Sequence, residues 1–122
     1  MEFVTSGGRG AIAEWYEGLG IEAQEEFHAR LKRLANLRRH LWVRPLYAPV
    51  KDGIGKIRFK GEGIQYRPLG WFGPKEGQFT LLFPAEERNS RFNPDDALKQ
   101  AIQRRKLILS DASNRRVRQY DF

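Results

Sequence analysis

Three basic residues near the middle of the chain have the types and the spacing to act on a polyanion. Lys56, Arg58 and Lys60 alternate with the apolar residues Ile57 and Phe59. Successive side chains of a β-strand leave opposite faces, so the alternation predicts a strand with cations on one face. Cations on a rigid sheet suit polyanion binding or the stabilisation of a charged phosphoryl transition state. Exposed strands also carry charges because these discourage edge pairing, and that interpretation stays open.

A fourth cation, Arg67, follows on the next predicted strand. Residues 54–69 predict two strands joined by a turn at Gly61, Glu62 and Gly63, because glycine tolerates a positive φ. A turn of this length can bring Arg67 within reach of the positive face. The predicted hairpin therefore gathers its cations on one side.

Two amphipathic helices are predicted before these strands. Residues 9–19 carry apolar side chains at helical spacing, and residues 21–41 do the same. In the second helix, glutamates come early and arginines late, which complements the helix dipole. Its apolar face is predicted to carry Phe27, Leu31, Leu34 and Leu41. The short connection predicts an antiparallel helical hairpin whose apolar face needs a sheet to cover it.

A further strand and a final helix follow the basic hairpin. Residues 78–83 alternate, with Phe79, Leu81 and Phe83 predicted on one face, and Asn93 is the predicted N-cap of a helix reaching about residue 109. Residues 1–5 are a candidate for an additional strand. The predicted fold is α+β, an N-terminal helical hairpin packed on a small antiparallel three-strand meander with a C-terminal helix.

The length and the charge favour one basic domain. With 122 residues and 40% hydrophobic composition, the chain is long enough for a single core. We predict one domain over residues 1–109 and a basic, loosely held tail over residues 110–122. The formal net charge of +7 favours nucleic acid, an anionic surface or an acidic protein as partner. Solubility is the plainer explanation of such a charge.

Several kinds of site are not expected. The sequence has no cysteine, which excludes disulfides and thiolate metal sites. His28 and His40 lie on one predicted helix without metal-ligand spacing, so we predict no metal and no cofactor.

No run approaches the roughly 18 apolar residues of a membrane span, and no signal peptide is recognised. We therefore expect a cytoplasmic protein without a membrane partner.

The order of helix, helix, meander and helix resembles the RelE/ParE superfamily of bacterial toxins, and within it the phage-derived HigB-like branch. The likeness includes the basic second strand and the Tyr-Arg pair on the third, and it covers roughly residues 9–109. The segments that carry it are Gly55-Lys-Ile-Arg-Phe59, Gln65-Tyr-Arg67, Phe79 to Phe83 and Asn93-Pro-Asp-Asp-Ala-Leu98.

The resemblance implies the toxin component of a toxin-antitoxin pair. Members of the family are endoribonucleases that cleave messenger RNA at the ribosome, by in-line attack of a ribose 2′-OH on the adjacent phosphate. Such chemistry needs a base, an acid and cations for the charge on phosphate. The implied partners are messenger RNA and a cognate antitoxin protein. The ParE branch of the family implies gyrase poisoning instead.

The resemblance also implies roles for individual residues. Arg58 and Arg67 match electrostatic stabilisers, Lys56 a phosphate-binding or proton-handling group, and Arg88 is a further catalytic candidate. The implied RNA-binding residues are Lys60, Tyr66, Arg91, Arg38 and Arg39.

A wider basic cluster lies on the second predicted helix. Its members Arg30, Lys32, Arg33, Arg38 and Arg39 fit either contact with an RNA backbone or an ordinary solvent face. We favour the solvent face for this cluster as a whole.

The chain departs from the family after residue 83. Glu86 and Glu87 stand in a predicted loop where relatives commonly have a basic pair, and Phe92 stands where they often have tyrosine or histidine. Either Arg88 or Arg91 takes over those roles together with a carboxylate, or cleavage has been lost. The alternative function is therefore a non-catalytic, phage- or prophage-derived module that binds RNA or an acidic protein. The identity of a general base is left open.

Overall fold

The computed structural model describes residues 2–6, 11–110 and 115–117. The helices are α1, Ala11–Glu17; α2, Ile21–Ala35; and α3, Ala97–Ser110; a 3-10 turn spans Arg39–Leu41. The strands are β1, Glu2–Ser6; β2, Tyr47–Lys51; β3, Ile54–Ile57; β4, Phe59–Gly61; β5, Ile64–Phe72; β6, Gln78–Arg88; β7, Arg91–Asn93; and β8, Arg115–Val117.

The strands form one mixed sheet, so the predicted α+β class is confirmed. Its order is β2-β3-β5-β6-β1-β8, with β4 also paired to β5 and β7 to β6. Neighbours along the chain pair antiparallel, whereas β1 runs parallel to β6. The sheet is therefore larger than the predicted meander. No helix in the described part of the chain is long and apolar enough to cross a membrane.

Helices cover the sheet from both sides. On one face α1 and α2 bury a cluster that includes Phe27, Phe59 and Phe79. On the other face α3 packs its small residues Ala97 and Ala101 into a second cluster. Small residues let a helix lie close to a sheet. The sheet is thus the middle of three layers, and each face has its own core.

The prediction that Phe83 shares a face with Phe79 and Leu81 is wrong. A β-bulge in β6 at Leu82 shifts the pairing with β5, so that Leu69 opposes Phe83 and Gly70 opposes Leu81. The extra residue inverts the alternation, and Phe83 packs in the α3 cluster. The bulge also frees the Leu82 carbonyl, which accepts a hydrogen bond of 2.7 Å from Arg104 Nη1 on α3.

The prediction that α2 continues to Leu41 is also wrong. The helix ends at Ala35, and the side chain of Leu41 is 45% exposed. The helix ends in a tighter turn, in which the Leu37 N–H bonds the Leu34 carbonyl at 3.0 Å. The buried indole of Trp42 packs against this end, where its Nε1 donates to the carbonyls of Leu34 at 3.0 Å and Leu37 at 3.3 Å. It thereby satisfies carbonyls that have no partner one helical turn further along.

Two further differences concern the C-terminal part. Asn93 is not the N-cap of α3, because it pairs with Glu86 as the last residue of β7. The first helical bond instead runs from the Gln100 N–H to the Asp96 carbonyl at 2.9 Å. The predicted loosely held tail contains β8, which pairs antiparallel with β1. The sequence of β8, two arginines and a valine, does not by itself predict a strand. Positions 111–114 and 118–122 lie outside the described residues.

The predicted turn after β4 is present, and a glycine beside it sets the approach of α2. Glu62 and Gly63 both have positive φ, 54° and 79°, as a two-residue hairpin turn requires. A Cβ added to Gly61 would stand 2.6 Å from the Ala23 Cα atom. The backbones of α2 and β4 therefore touch at this point, and only glycine fits there.

Gly61→Ala is expected to lower the free energy of unfolding by about 1–3 kcal/mol, because the added methyl must push α2 away from β4. Urea denaturation measures this loss. Gly18→Ala is the matched control, since its added Cβ would have Trp15 O as its nearest atom at an ordinary 3.5 Å. Equal losses in both variants would contradict close packing at Gly61.

Candidate functional site

The sheet face that carries α3 is polar near the β4–β5 turn. Strand pairing places Arg67 of β5 opposite Ala85 of β6, and Gln65 opposite Glu87. Ala85 belongs to the α3 cluster, so Arg67 and Glu87 leave the sheet on the same face as that cluster. Lys56 of β3 opposes Leu69 of the same cluster and joins this face. The register thus brings two predicted site residues together with Glu87.

Arg67 is the most buried member of the site, with 5% of its surface exposed. Its Nη1 donates to the carbonyls of Tyr66 at 2.7 Å and Phe59 at 3.3 Å, and its Nη2 donates to Gln65 Oε1 at 3.0 Å. The β4–β5 hairpin therefore fixes the orientation of the guanidinium. Burial lowers the pKa of Arg67, and the charge of Glu87 opposes that shift.

Glu87 lies between two cations. Its Oε1 accepts a hydrogen bond of 2.9 Å from Lys56 Nζ, and its Oε2 lies 3.6 Å from Arg67 Nε. The hydrogen bond from Lys56 is the main cause that holds the pKa of Glu87 below its ordinary value. Glu87 is part of β6, because this strand continues to Arg88, and the prediction that it lies in a loop is wrong.

Arg58 extends the site toward α2. It stands between β3 and β4, where its backbone N–H bonds the Leu46 carbonyl at 2.9 Å. After burial and Glu87, the charges of Arg58, Arg30 and Arg44 are the next influences on the pKa of Arg67, and all three lower it. The site therefore holds several cations around the Glu87 carboxylate.

Arg30, Arg44 and the position of Glu87 are the parts of the site that the sequence does not predict. The sequence places Arg30 in a basic helix cluster for which the solvent face is favoured, because helix spacing alone does not show which turn of α2 packs beside the basic strands. Arg44 lies in a loop that carries no periodic signal. The sequence leaves Glu86 and Glu87 open as a general base or an ordinary solvated pair, and the contacts of Glu87 with Lys56 and Arg67 depend on strand register.

Phe92 of β7 forms one wall of the site. It pairs with Glu87 across the β6–β7 hairpin, and Lys56 Nζ lies 5.6 Å from the centre of its ring. A cavity of about 240 Å³ opens here, lined by Arg44, Pro49, Val50, Lys56, Glu87, Ser90 and Phe92. A second cavity of about 520 Å³ lies on the other side of Glu87, lined by Gly63, Ile64, Gln65, Glu87, Arg88, Asn89 and Ser90. Glu87 is common to both.

The remaining basic candidates lie at the rim or elsewhere. Arg88 is 69% exposed and lies 3.8 Å from Glu86, while Arg91 is exposed opposite it on β7. Lys60 is exposed on β4. Lys60 pairs with Gln65 and therefore leaves the sheet on the same face as Arg67 and Glu87. Arg88 lines the larger of the two cavities, whereas Arg91, which pairs with Arg88 one residue beyond Glu87, leaves the sheet on the opposite face.

Tyr66, Arg38 and Arg39 are not beside this face. Tyr66 is 4% exposed and stacks on Phe59 within the α1–α2 core, so its ring offers no free face to a nucleobase. Arg39 places its guanidinium 4.1 Å above the ring of Phe72, in a separate groove of about 860 Å³. Arg38 is the exposed residue just before the 3-10 turn.

The site is a mostly cationic face with one carboxylate. In residues 11–110, where side chains are described, no cluster of histidine and carboxylate groups is arranged to hold a metal ion. Comparison with protein-family models, with curated proteins and with solved structures gives no match to this chain. The arrangement of Lys56, Arg67 and Glu87 is therefore the basis for assigning a function.

Glu87→Gln is expected to lower the free energy of unfolding at pH 7 by about 1 kcal/mol, because it leaves the surrounding cations without their carboxylate. The folded pKa of Glu87 lies below its unfolded value, so its contribution is present above the unfolded pKa. It is lost as the pH falls through the folded pKa, and the difference between variant and wild type should shrink below about pH 4.

Urea titrations at pH 7 and pH 3 measure this pH dependence. Glu86→Gln is the matched control, because Glu86 only approaches the exposed Arg88 at 3.8 Å. A difference for Glu87→Gln that stayed constant between the two pH values would show that the carboxylate charge is not its cause.

Proposed function

We propose that the chain is an endoribonuclease that cleaves RNA by attack of a ribose 2′-OH on the adjacent phosphodiester. The observation that carries this proposal is the contact of 2.9 Å between Lys56 and Glu87 beside the buried Arg67. The three groups offer a proton acceptor, a proton donor and a fixed cation on one sheet face. These are the functions that the reaction needs.

Glu87 is the proposed general base. Its carboxylate is ionised at neutral pH and is able to accept the 2′-OH proton. The hydrogen bond from Lys56, which lowers its pKa and so weakens it as a base, has to be exchanged for one from the 2′-OH when substrate binds. The 2′-oxygen then bonds to phosphorus, and the bond from phosphorus to the 5′-oxygen breaks. Lys56 donates a proton to that leaving oxygen. The products are a 2′,3′-cyclic phosphate and a 5′-hydroxyl, with the transferred protons balanced between the two side chains.

The arginines are the proposed electrostatic stabilisers. Negative charge accumulates on the nonbridging phosphate oxygens as the 2′-oxygen attacks, and fixed guanidinium groups stabilise it without reorganisation. Carbonyls of the β4–β5 hairpin already orient Arg67 before substrate binds. Arg58 adds charge from the junction of β3 and β4. Lys60, on the same face as Arg67, and Arg88, which lines the larger cavity, bind flanking phosphates.

The biological setting is proposed from the resemblance to the RelE/ParE toxins, and in particular to the HigB-like branch. The fold is accordingly proposed to be RelE-like, which the α1–α2 pair and the basic β3–β4 segment support. In this setting the substrate is messenger RNA at the ribosome and the location is the cytoplasm. An antitoxin protein covers the basic face, the side of the sheet that carries Lys56, Arg58 and Arg67. The net charge of +7 supports polyanionic partners.

A second function, binding without cleavage, is favoured by Phe92. This side chain stands beside Lys56 and Glu87 and moves no proton. Tyr66 is directed into the opposite core, and within the described residues neither His28 nor His40 lines the cavities beside Glu87. A module with these features would bind RNA or an acidic protein segment through the same cations.

Purified protein is expected to cut single-stranded RNA and leave 2′,3′-cyclic phosphate ends. Glu87→Gln and Lys56→Met should each slow single-turnover cleavage about 100-fold or more, the usual effect of losing an acid or base. Lys99→Ala, an exposed change on α3, is the control with unchanged cleavage. Electrophoresis of end-labelled RNA follows the reaction.

Two results would separate the functions. Binding of RNA without cleavage, both by free protein and in the presence of ribosomes, would favour the binding module. In bacteria, induction of the wild-type chain should slow growth and create new messenger RNA ends, and the Arg58→Ala, Arg67→Ala double variant should do neither. Unchanged toxicity of that folded double variant would contradict the site assignment.

A further inference from the structure

Buried guanidinium nitrogens without acceptors mark one side of the basic face. Within the described residues, Arg30 Nη1, Arg58 Nε and Arg67 Nε are buried and have no hydrogen-bond partner. Arg67 Nε has only the longer ion-pair contact of 3.6 Å with Glu87. Buried donors are nearly always paired in folded proteins, and a charged donor gains most from an anion.

Helix packing brings Arg30 to this place. Ala23 touches Gly61 of β4, and Arg30 follows seven residues later in α2, on the same side of the helix two turns further along. Burial is the main cause that lowers the pKa of Arg30; the charges of Arg33 and Arg58 lower it further, and the charge of Glu26 opposes the shift. The guanidinium of Arg30 therefore lies close to the junction of β3 and β4.

Positive charges outnumber negative charges around these donors. Arg58, Arg30 and Arg44 lower the pKa of Arg67, and the carboxylate that opposes them is Glu87. Arg58 and Arg33 lower the pKa of Arg30, and the carboxylate that opposes them is Glu26. The carboxylate of Glu87 is itself hydrogen bonded to Lys56. Like charges that are partly withdrawn from water destabilise a fold unless an anion joins them.

We propose that Arg30 of α2 is a substrate-binding residue, and that with Arg58 and Arg67 it forms a site for a phosphate group. A phosphate offers several oxygens, so it is able to accept from three guanidinium groups at once. The inference rests on the proposed function for the identity of the substrate, since RNA would supply the phosphate. The site itself does not depend on cleavage.

Inorganic phosphate is the probe for this site. At constant ionic strength, phosphate should raise the melting temperature of the wild-type protein in a saturable way, and chloride should not. Arg30→Met should raise the phosphate concentration needed for half of this shift about tenfold, whereas Arg30→Lys should restore part of the response. Without phosphate, Arg30→Met should melt at or above the wild-type temperature, because it removes a crowded charge.

Arg33→Met is the matched control, because it removes the same charge from an exposed position one turn along α2. It should leave the phosphate response within about twofold of wild type. An equal loss in both variants, or an equal response to chloride, would overturn the site, since either result would mean general screening.

RNA assays separate this inference from the proposed function. If RNA is bound but not cut, and phosphate stabilisation still requires Arg30, then the phosphate site stands and the nuclease proposal fails. If RNA is cut at the wild-type rate and with unchanged affinity by Arg30→Met, then the role of Arg30 fails and the nuclease proposal stands.

Discussion

The burial of the Arg67 guanidinium within a group of cations is the interaction on which the basic face depends. A buried charge requires hydrogen bonds and a counter-ion. The β4–β5 hairpin supplies the carbonyls of Tyr66 and Phe59, and β6 supplies Glu87. All three strands must therefore keep their register for Arg67 to be accommodated, which makes the site geometry part of the folded structure rather than a surface addition.

The bulge at Leu82 changes the face of the sheet to which the side chains of β6 point, so that one strand contributes to both cores and to the site. Before the bulge, β6 directs Phe79 and Leu81 toward α1 and α2; after it, Phe83 and Ala85 lie on the α3 face. Because Glu87 follows Ala85 by two residues, it lies on that face too. Without the bulge, the alternation would direct Glu87 toward the opposite core. Arg104, bonded to the Leu82 carbonyl, therefore stabilises the irregularity that the site requires.

The features predicted from the sequence were those with local causes. The turn at Glu62 and Gly63 and the inward alternation of Ile57 and Phe59 follow from neighbouring residues, and the structure has both. The differences have causes distant in sequence. Trp42 bonds back to a carbonyl at the end of α2, and the bulge redirects Phe83. The contacts of Lys56 with Glu87 and of Ala23 with Gly61 depend on strand register and on helix packing, which a periodic pattern does not contain.

The acidic pair at residues 86–87 does not make the site acidic. The two side chains separate, because neighbours on a strand point to opposite faces, and only Glu87 joins the cations. Arg30 from α2 and Arg44 from the loop before β2 add positive charge from outside the sheet. Positive charge on this face therefore comes largely from β3, β5 and these neighbouring elements rather than from residues 86–87. Glu87 adds to it a carboxylate hydrogen bonded to Lys56, a group able to accept a proton among cations that favour anions.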